Sequence, residues 1–130
     1  AQIMNLLKDL QSEYNVAYML IAHDLATVRY MCTWVAVMYL GQVVELSPVQ
    51  DLYNNPSHPY TKALMSAALP SHPDMEQEEI ILTGEVPSPL NPPSGCYFHP
   101  RCPAVMDRCS VDKPEVTEIS EGHTLTCHLF

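Results

Sequence analysis

The 130-residue chain has few basic residues and no long apolar run. Only 6 Lys and Arg oppose 15 Asp and Glu, which gives a formal net charge of −9. The few bases are scattered along the chain, so it repels phosphate backbones and binding to nucleic acid is not expected. No apolar stretch reaches the roughly 20 residues that a membrane-spanning helix needs. No signal-peptide pattern opens the chain either, so export is not expected.

Two chemical motifs are also missing. The chain contains no G-x-x-x-x-G-K-[ST] sequence, so it lacks the loop whose backbone N–H groups and Lys hold nucleotide phosphates. It also lacks the Cys pairs, two to four residues apart, that are usual in zinc sites. The first residues begin inside a helical pattern, without an N-cap or an initiator Met. We therefore expect a C-terminal fragment of a longer protein.

The first third of the chain predicts a helix, a strand and a short helix. Apolar residues recur at helical spacing between Ile3 and Leu10, which predicts an amphipathic helix over 2–14. The apolar run Val16–Ala22 is continuous rather than alternating, as in a strand that is buried on both faces of a parallel sheet. Asp24 is positioned to cap a short helix that extends to about Met31.

Further along, the pattern predicts a hairpin of residues 34–40 and 43–46 around Gly41-Gln42. Ser47-Pro48 reads as an N-cap followed by Pro at the first helical position, opening a helix to Tyr53. Another helix opens at His58-Pro59 and ends before Pro70. Residues 70–95 are rich in Pro and contain the acidic run Glu76, Glu78 and Glu79. They are predicted to form a solvated linker, with a possible short strand at 80–82.

Four of the five cysteines lie in the last third of the chain, as C-x5-C-x6-C-x17-C: Cys96, Cys102, Cys109 and Cys127. In a cytosolic protein structural disulfides are not expected, which leaves a metal centre or free thiols. Iron–sulfur clusters accept wider and less regular spacing than zinc sites, and a Pro after a ligating Cys, as in Cys102-Pro103, recurs in ferredoxin-type runs. His99 and His128 are weaker ligand candidates. Cys32 reads as an ordinary buried thiol.

Three segments carry a resemblance to a known family. LIAHDLATVRYMCTWVAVMYLGQVVELS, residues 20–47, resembles the end of an ATP-binding-cassette ATPase domain. NNPSHPYTKALMSAALP and LTGEVPSPLNPPSGCYFHPRCP resemble the C-terminal extension of ATP-binding subunits of dipeptide and oligopeptide importers. The resemblance implies an α/β fold: the C-terminal part of an ABC-type P-loop ATPase domain at 1–69, a Pro-rich linker at 70–95, and a small, irregular, Cys-rich extension at 96–130.

The resemblance also implies site residues. His23 stands where the family has its switch histidine, which contacts the γ-phosphate of ATP and helps to orient the attacking water. Its plainer interpretation is a strand-end histidine that satisfies backbone groups, and Asp24 beside it is interpreted as a helix cap. Some family members are thought to hold a [4Fe–4S] cluster with four such cysteines. We therefore interpret Cys96, Cys102, Cys109 and Cys127 as cluster ligands, with zinc second and free thiols third.

For function, the resemblance implies the energy-coupling subunit of a peptide importer that binds ATP only as the full-length protein. Its expected partners are membrane-spanning permease subunits and a second ATP-binding subunit, on the cytoplasmic face of the membrane. The fragment alone is not expected to hydrolyse ATP, and a cluster in so short an extension is interpreted as a structural staple. The alternative is a freestanding metal- or iron–sulfur-binding module with a redox or structural role.

Overall fold

The structure is a computed structural model that describes residues 2–68 and 79–130. It divides into two compact units, one before Trp34 and one formed by Trp34–Phe130. Residues 70–78 of the predicted linker, with Glu76 and Glu78 of its acidic run, lie outside the described residues. The elements in chain order are α1 (Gln2–Tyr14), α2 (Leu25–Met31), β1 (Trp34–Tyr39), β2 (Gln42–Pro48), α3 (Val49–Asn54), α4 (Pro59–Ala68), β3 (Val116–Ser120) and β4 (His123–Thr126).

The two helices of the first unit confirm the sequence prediction. Asp24 is the N-cap of α2, and its carboxylate accepts hydrogen bonds from the backbone N–H groups of Ala26 and Thr27, both at 3.2 Å. Between the helices, the Tyr30 hydroxyl donates to Asn5 Oδ1 at 2.5 Å. No residue of α1 is buried, and Ile3 and Leu6 of its apolar stripe are exposed.

The predicted strand Val16–Ala22 is wrong. This segment has no regular secondary structure, and Met19 and Ile21 are 92% and 93% exposed. A strand exists only where its backbone groups pair with a neighbour. Within the described residues the one sheet is wholly antiparallel, so no parallel neighbour is available to this apolar run.

The second unit is built on a four-stranded antiparallel sheet in the order β1-β2-β4-β3. A tight turn at Leu40-Gly41 joins β1 to β2, one residue earlier than the predicted Gly41-Gln42, because Gln42 already pairs with Tyr39. Both turn residues have positive φ, 46° and 77°, as a type I′ turn requires. A register shift after Val37 marks a β-bulge. The bulge explains why the consecutive residues Val44 and Glu45 are both buried.

Strands β3 and β4 lie inside the segment that is predicted from the sequence to be irregular. β4 pairs with β2 through Glu45 opposite Leu125, and β3 pairs with β4. The C-terminal strands β3 and β4 therefore complete the same sheet as the predicted hairpin. β-branched residues on both sides of Glu121-Gly122 were the available hairpin signal.

Of the remaining local predictions, some are confirmed and others are wrong. Helices α3 and α4 are confirmed, but Ser47 is a buried residue of β2 and not an N-cap; Pro48 holds the cap position, without a side-chain cap bond. The possible strand at 80–82 is wrong, since these residues have no regular structure. The core over the inner face of the sheet contains Leu52 of α3, Met65 of α4, Leu125 of β4 and Phe98.

Candidate functional site

His23 lies on an exposed bend directly before α2. Its neighbour Asp24 is held by the α2 cap and also accepts a hydrogen bond from the Thr27 hydroxyl. That side-chain bond is the main reason why the pKa of Asp24 lies below its ordinary value, with further lowering by the backbone N–H groups of Ala26 and Thr27. The arrangement fixes the backbone beside His23 while the imidazole faces solvent.

The cysteines form a second candidate site in the other compact unit. We call residues 94–114 together with 127–130 the cysteine lobe. Inside it, the Cys96 N–H donates to the Cys109 carbonyl at 2.8 Å, and the Ser94 hydroxyl donates to the Ser110 carbonyl at 2.6 Å. Gly95 between them has φ +64°, and a Cβ there would lie 2.3 Å from the Cys109 oxygen. Only glycine allows the two loops to approach this closely.

The sulfur atoms of the four cysteines interact electrostatically. Burial raises the pKa of Cys96, Cys102 and Cys127, and repulsion from the other cysteines, Cys109 included, raises it further. Each of these three sulfurs also accepts a backbone N–H from the residue two positions ahead, which lowers its pKa. Such N–H bonds to sulfur stabilise the thiolate form that binds metal. These pKa shifts link the four cysteines electrostatically, and their role as one set of ligands stays a prediction.

The lobe does not present a ready-made site for a single ion. Among residues 2–68 and 79–130, no group of three or more His, Cys, Asp or Glu side chains is placed to hold one metal ion. Neither the zinc interpretation nor the iron–sulfur interpretation is therefore supported by the geometry of the described residues. The two candidate histidines are engaged elsewhere: His99 donates through Nδ1 to the Cys96 carbonyl and His128 through Nε2 to the Asp112 carbonyl, both at 2.9 Å.

An aromatic cluster attaches the cysteine lobe to the sheet. Phe98, between Cys96 and Cys102, is 1% exposed. Its ring centroid lies 5.2 Å from Tyr39 of β1, 5.3 Å from Tyr60 of α4 and 5.7 Å from His58. His58 and Tyr60 belong to the HPYT segment, residues 58–61. The segment that marked the family resemblance is thus part of the contact between the lobe and the sheet.

A buried carboxylate joins the same segment to β4. Glu45 of β2 is fully buried, and its Oε1 accepts from His123 Nε2 at 2.6 Å. The backbone N–H of Ser57 donates to Oε1 and that of His58 to Oε2, both at 2.9 Å. We call these four residues the Glu45 network. A carboxylate can be buried at acceptable cost only when such partners replace its water shell.

His58 also caps α4 as a neutral side chain. Its Nδ1 accepts the Tyr60 N–H at 3.1 Å, and its ring also hydrogen-bonds the backbone of Thr126. Burial lowers the pKa of His58 to about 4, although the nearby Glu45 charge and the Thr126 bond act in the opposite direction. Because Nδ1 must stay unprotonated to accept the cap bond, the neutral form belongs to the folded state.

Sequence reasoning missed Glu45, Phe98 and His123. Glu45 looked like the polar position of an exposed hairpin, and His123 is separated from it by 78 positions along the chain. Their pairing depends on the strand order, which no local pattern specifies. Phe98 carried a weak signal, because a Phe between two cysteines in a polar segment needs a partner for its ring.

The comparisons with known proteins agree with this architecture. Residues 44–109, about half of the chain, match the family described as the oligopeptide/dipeptide transporter C-terminal region. The matched range contains Glu45, the HPYT segment and three of the four cysteines. The chain belongs to this family.

Relatives resemble the chain over almost its whole length. It is 52% identical over 129 residues to a probable peptide ABC transporter ATP-binding protein of Sinorhizobium fredii. It is 47% identical over 127 residues to a putative peptide import ATP-binding protein of Brucella ovis. It is 46% identical over 132 residues to the oligopeptide transport ATP-binding protein AppF of Bacillus subtilis. These matches cover 99%, 98% and 100% of this chain.

The chain spans 36% to 40% of the length of these relatives and matches their C-terminal region. All three are named as ATP-binding proteins of peptide transport, and nothing supports the freestanding metal-binding module that the cysteines suggested as an alternative. In the described part of the chain, no helix combines the length and the apolar character that crossing a membrane requires.

Proposed function

We propose that this chain is the C-terminal region of the ATP-binding subunit of an importer for dipeptides or oligopeptides. The observation that carries the proposal is the 46% to 52% identity to such ATP-binding proteins over nearly the entire chain. The family match supports it as well, because residues 44–109 match the C-terminal region of oligopeptide/dipeptide transporters. The chain lacks the phosphate-binding loop, so ATP binding requires the rest of the subunit.

In the complete subunit, His23 acts as the switch residue at the γ-phosphate of ATP. Its exposed position and the rigid Asp24 cap beside it support this role, since a phosphoryl-transfer site needs a polar group held at a fixed place near the phosphate. Membrane permease subunits and a second ATP-binding subunit are the proposed partners. The proposed location is peripheral, on the cytoplasmic face of the membrane.

A chimaera tests this function. The matched C-terminal region of the Bacillus subtilis relative is replaced by this chain, and ATP turnover and oligopeptide uptake are measured in cells that lack the native subunit. We expect uptake to be restored. His23→Ala in the chimaera is expected to reduce ATP turnover at least tenfold, while Tyr14→Phe, an exposed change in the same unit, serves as the matched control.

Two results would contradict the proposal. A chimaera that folds and binds ATP but supports no uptake would argue against a peptide-import role. Full ATP turnover in the His23→Ala chimaera would reject His23 as the switch residue while leaving the family role in place.

We also propose that Cys96, Cys102, Cys109 and Cys127 hold a [4Fe–4S] cluster as a structural staple. Each thiolate of such a cluster binds a different iron, so the sulfurs lie farther apart than around one zinc ion. The mutual electrostatic interaction of the four thiols and the backbone N–H bonds to three of them support this donor set. The cluster would tie loops that have little other regular structure.

Anaerobic purification followed by an absorption spectrum and by iron, sulfide and zinc analysis tests the cluster. We expect stoichiometric iron and sulfide, lost in Cys127→Ser and retained in Cys32→Ser, whose thiol lies in the other unit. Zinc alone, or a metal-free chain with five titratable thiols, would reject the cluster.

A further inference from the structure

We propose that Glu45, His58 and His123 are positioning residues that hold Cys127 against the segment that carries the other three cysteines. As a statement about a metal centre the inference rests on the proposed cluster. As a statement about where Cys127 lies it stands on the contacts of the chain alone. It assigns a role to the HPYT segment and to a buried acid that the proposed function leaves unused.

Cys127 comes from a different part of the chain than its partners. Cys96, Cys102 and Cys109 lie within one segment of loops and short 3₁₀ turns, whereas Cys127 directly follows β4. Its position is therefore set on one side by β4, a strand of only four residues, and on the other by the bond of His128 to the Asp112 carbonyl. A strand this short, with β3 as its outer neighbour, needs more than ladder hydrogen bonds to hold its register.

Side chains fasten β4 to β2 at both ends. At its first residue, His123 donates to the buried Glu45 carboxylate at 2.6 Å. At its last residue, the Thr126 hydroxyl donates to the Val43 carbonyl at 3.2 Å. Of the two, the His123 bond is fully buried and involves a charged acceptor, so its loss is the more costly.

The same carboxylate fixes the other three cysteines through His58. Glu45 accepts the N–H groups of Ser57 and His58, and this sets the place where the HPYT segment begins. The His58 ring then contacts Phe98, which lies between Cys96 and Cys102, and bonds the backbone of Thr126. Glu45 thus contacts the strand that precedes Cys127 and also, through His58 and Phe98, fixes the segment that carries the other three cysteines.

The test uses two variants that differ by one methylene group. Gln at position 123 places its amide nitrogen where His123 Nε2 lies, whereas the shorter Asn cannot reach Glu45. The metal-free, reduced chain is treated with N-ethylmaleimide, and the alkylation rate of each cysteine is measured by mass spectrometry. We expect His123→Asn to raise the rate of Cys127 about tenfold, the scale of one lost hydrogen bond to a charged group. His123→Gln is expected to stay within about twofold of the wild type.

Cys32, in the other unit, is the internal control and is expected to react at the same rate throughout. An unchanged Cys127 rate in His123→Asn overturns the proposal. So does an equal rise for Cys96, Cys109 and Cys127, which indicates general loosening.

A variant-free measurement keeps the proposal testable if His123→Asn does not fold. In wild-type hydrogen exchange, the Ser57 and His58 amides must open together with those of β4, and independent opening refutes the coupling.

Iron and sulfide analysis of the same chains separates this inference from the proposed cluster. A wild type that binds no iron while Cys127 responds as expected rejects the cluster and keeps the positioning role. Iron retained at wild-type levels in His123→Asn, with Cys127 unresponsive, keeps the cluster and rejects the positioning role.

Discussion

Acidification is expected to destabilise the sheet unit through His58. In the folded chain burial lowers the pKa of His58 to about 4, against an ordinary value of 6.5. Between these values the unfolded chain binds a proton that the folded chain excludes, so stability falls as the pH is lowered. The contribution of His58 is complete above about pH 6.5 and is lost towards pH 4.

The size of the loss in unfolding free energy follows from the shift in the pKa of His58. Each pH unit inside the window costs about 1.4 kcal/mol of unfolding free energy, so the full loss approaches about 3 kcal/mol. Between pH 7.5 and pH 5 we expect about 2 kcal/mol. Protonation at Nδ1 also removes the acceptor for the Tyr60 N–H. We therefore expect the first turn of α4 to fray as this stability is lost.

Urea unfolding followed by fluorescence provides the assay, because Trp34 is the only tryptophan and starts β1 in the same unit. His58→Asn is the comparison variant, since Asn can accept the cap bond but does not titrate. The wild type is expected to lose about 2 kcal/mol more than His58→Asn between pH 7.5 and pH 5, with equal m values. Parallel pH profiles for the two chains would refute the reasoning.

Three further predictions concern single side chains. Phe98→Ala removes a buried ring from the aromatic cluster and is expected to cost about 3–5 kcal/mol in urea unfolding; a loss below about 1 kcal/mol would contradict its anchoring role. Gly95→Ala is expected to lower the melting temperature and to expose Cys109 to alkylation, since the new Cβ meets the Cys109 carbonyl; an unchanged melting temperature would argue against the close approach. Asp24→Ala should destabilise α2 by removing its N-cap, seen as faster hydrogen exchange at Thr27; unchanged exchange there would exclude the cap.

Much of the local structure was predictable from the sequence. The spacing of apolar residues indicated α1, and Asp24 indicated the start of α2, because both signals act within one or two helical turns. The β1–β2 hairpin and α4 followed for the same reason. The failed strand at Val16–Ala22 shows the limit of such signals. An apolar run reports that a segment suits a buried strand, but the strand forms only where a partner backbone pairs with it.

The candidate sites show the same difference between local signals and contacts that are distant in the chain. The residue type and spacing of the four cysteines are enough to predict one shared site, which stays a prediction. The contacts of Glu45 with the strand that precedes Cys127 were not predictable. From the sequence, Glu45 is a polar residue in a hairpin strand. Only the pairing of β4 with β2 brings His123 Nε2 to 2.6 Å from Glu45 Oε1.

The sequence by itself determined the helices, the Asp24 cap, the β1–β2 hairpin, the set of candidate ligands and the family. These depend on interactions between residues close in the chain, or on residue types at particular spacings. Only the tertiary structure decided that the C-terminal segment joins the sheet, that Phe98 inserts between Tyr39, His58 and Tyr60, and that Glu45 is buried with partners for both oxygens. Those outcomes depend on contacts between residues that are distant in the chain. Such contacts form, and stabilise the fold, only when the strands have paired in their final order.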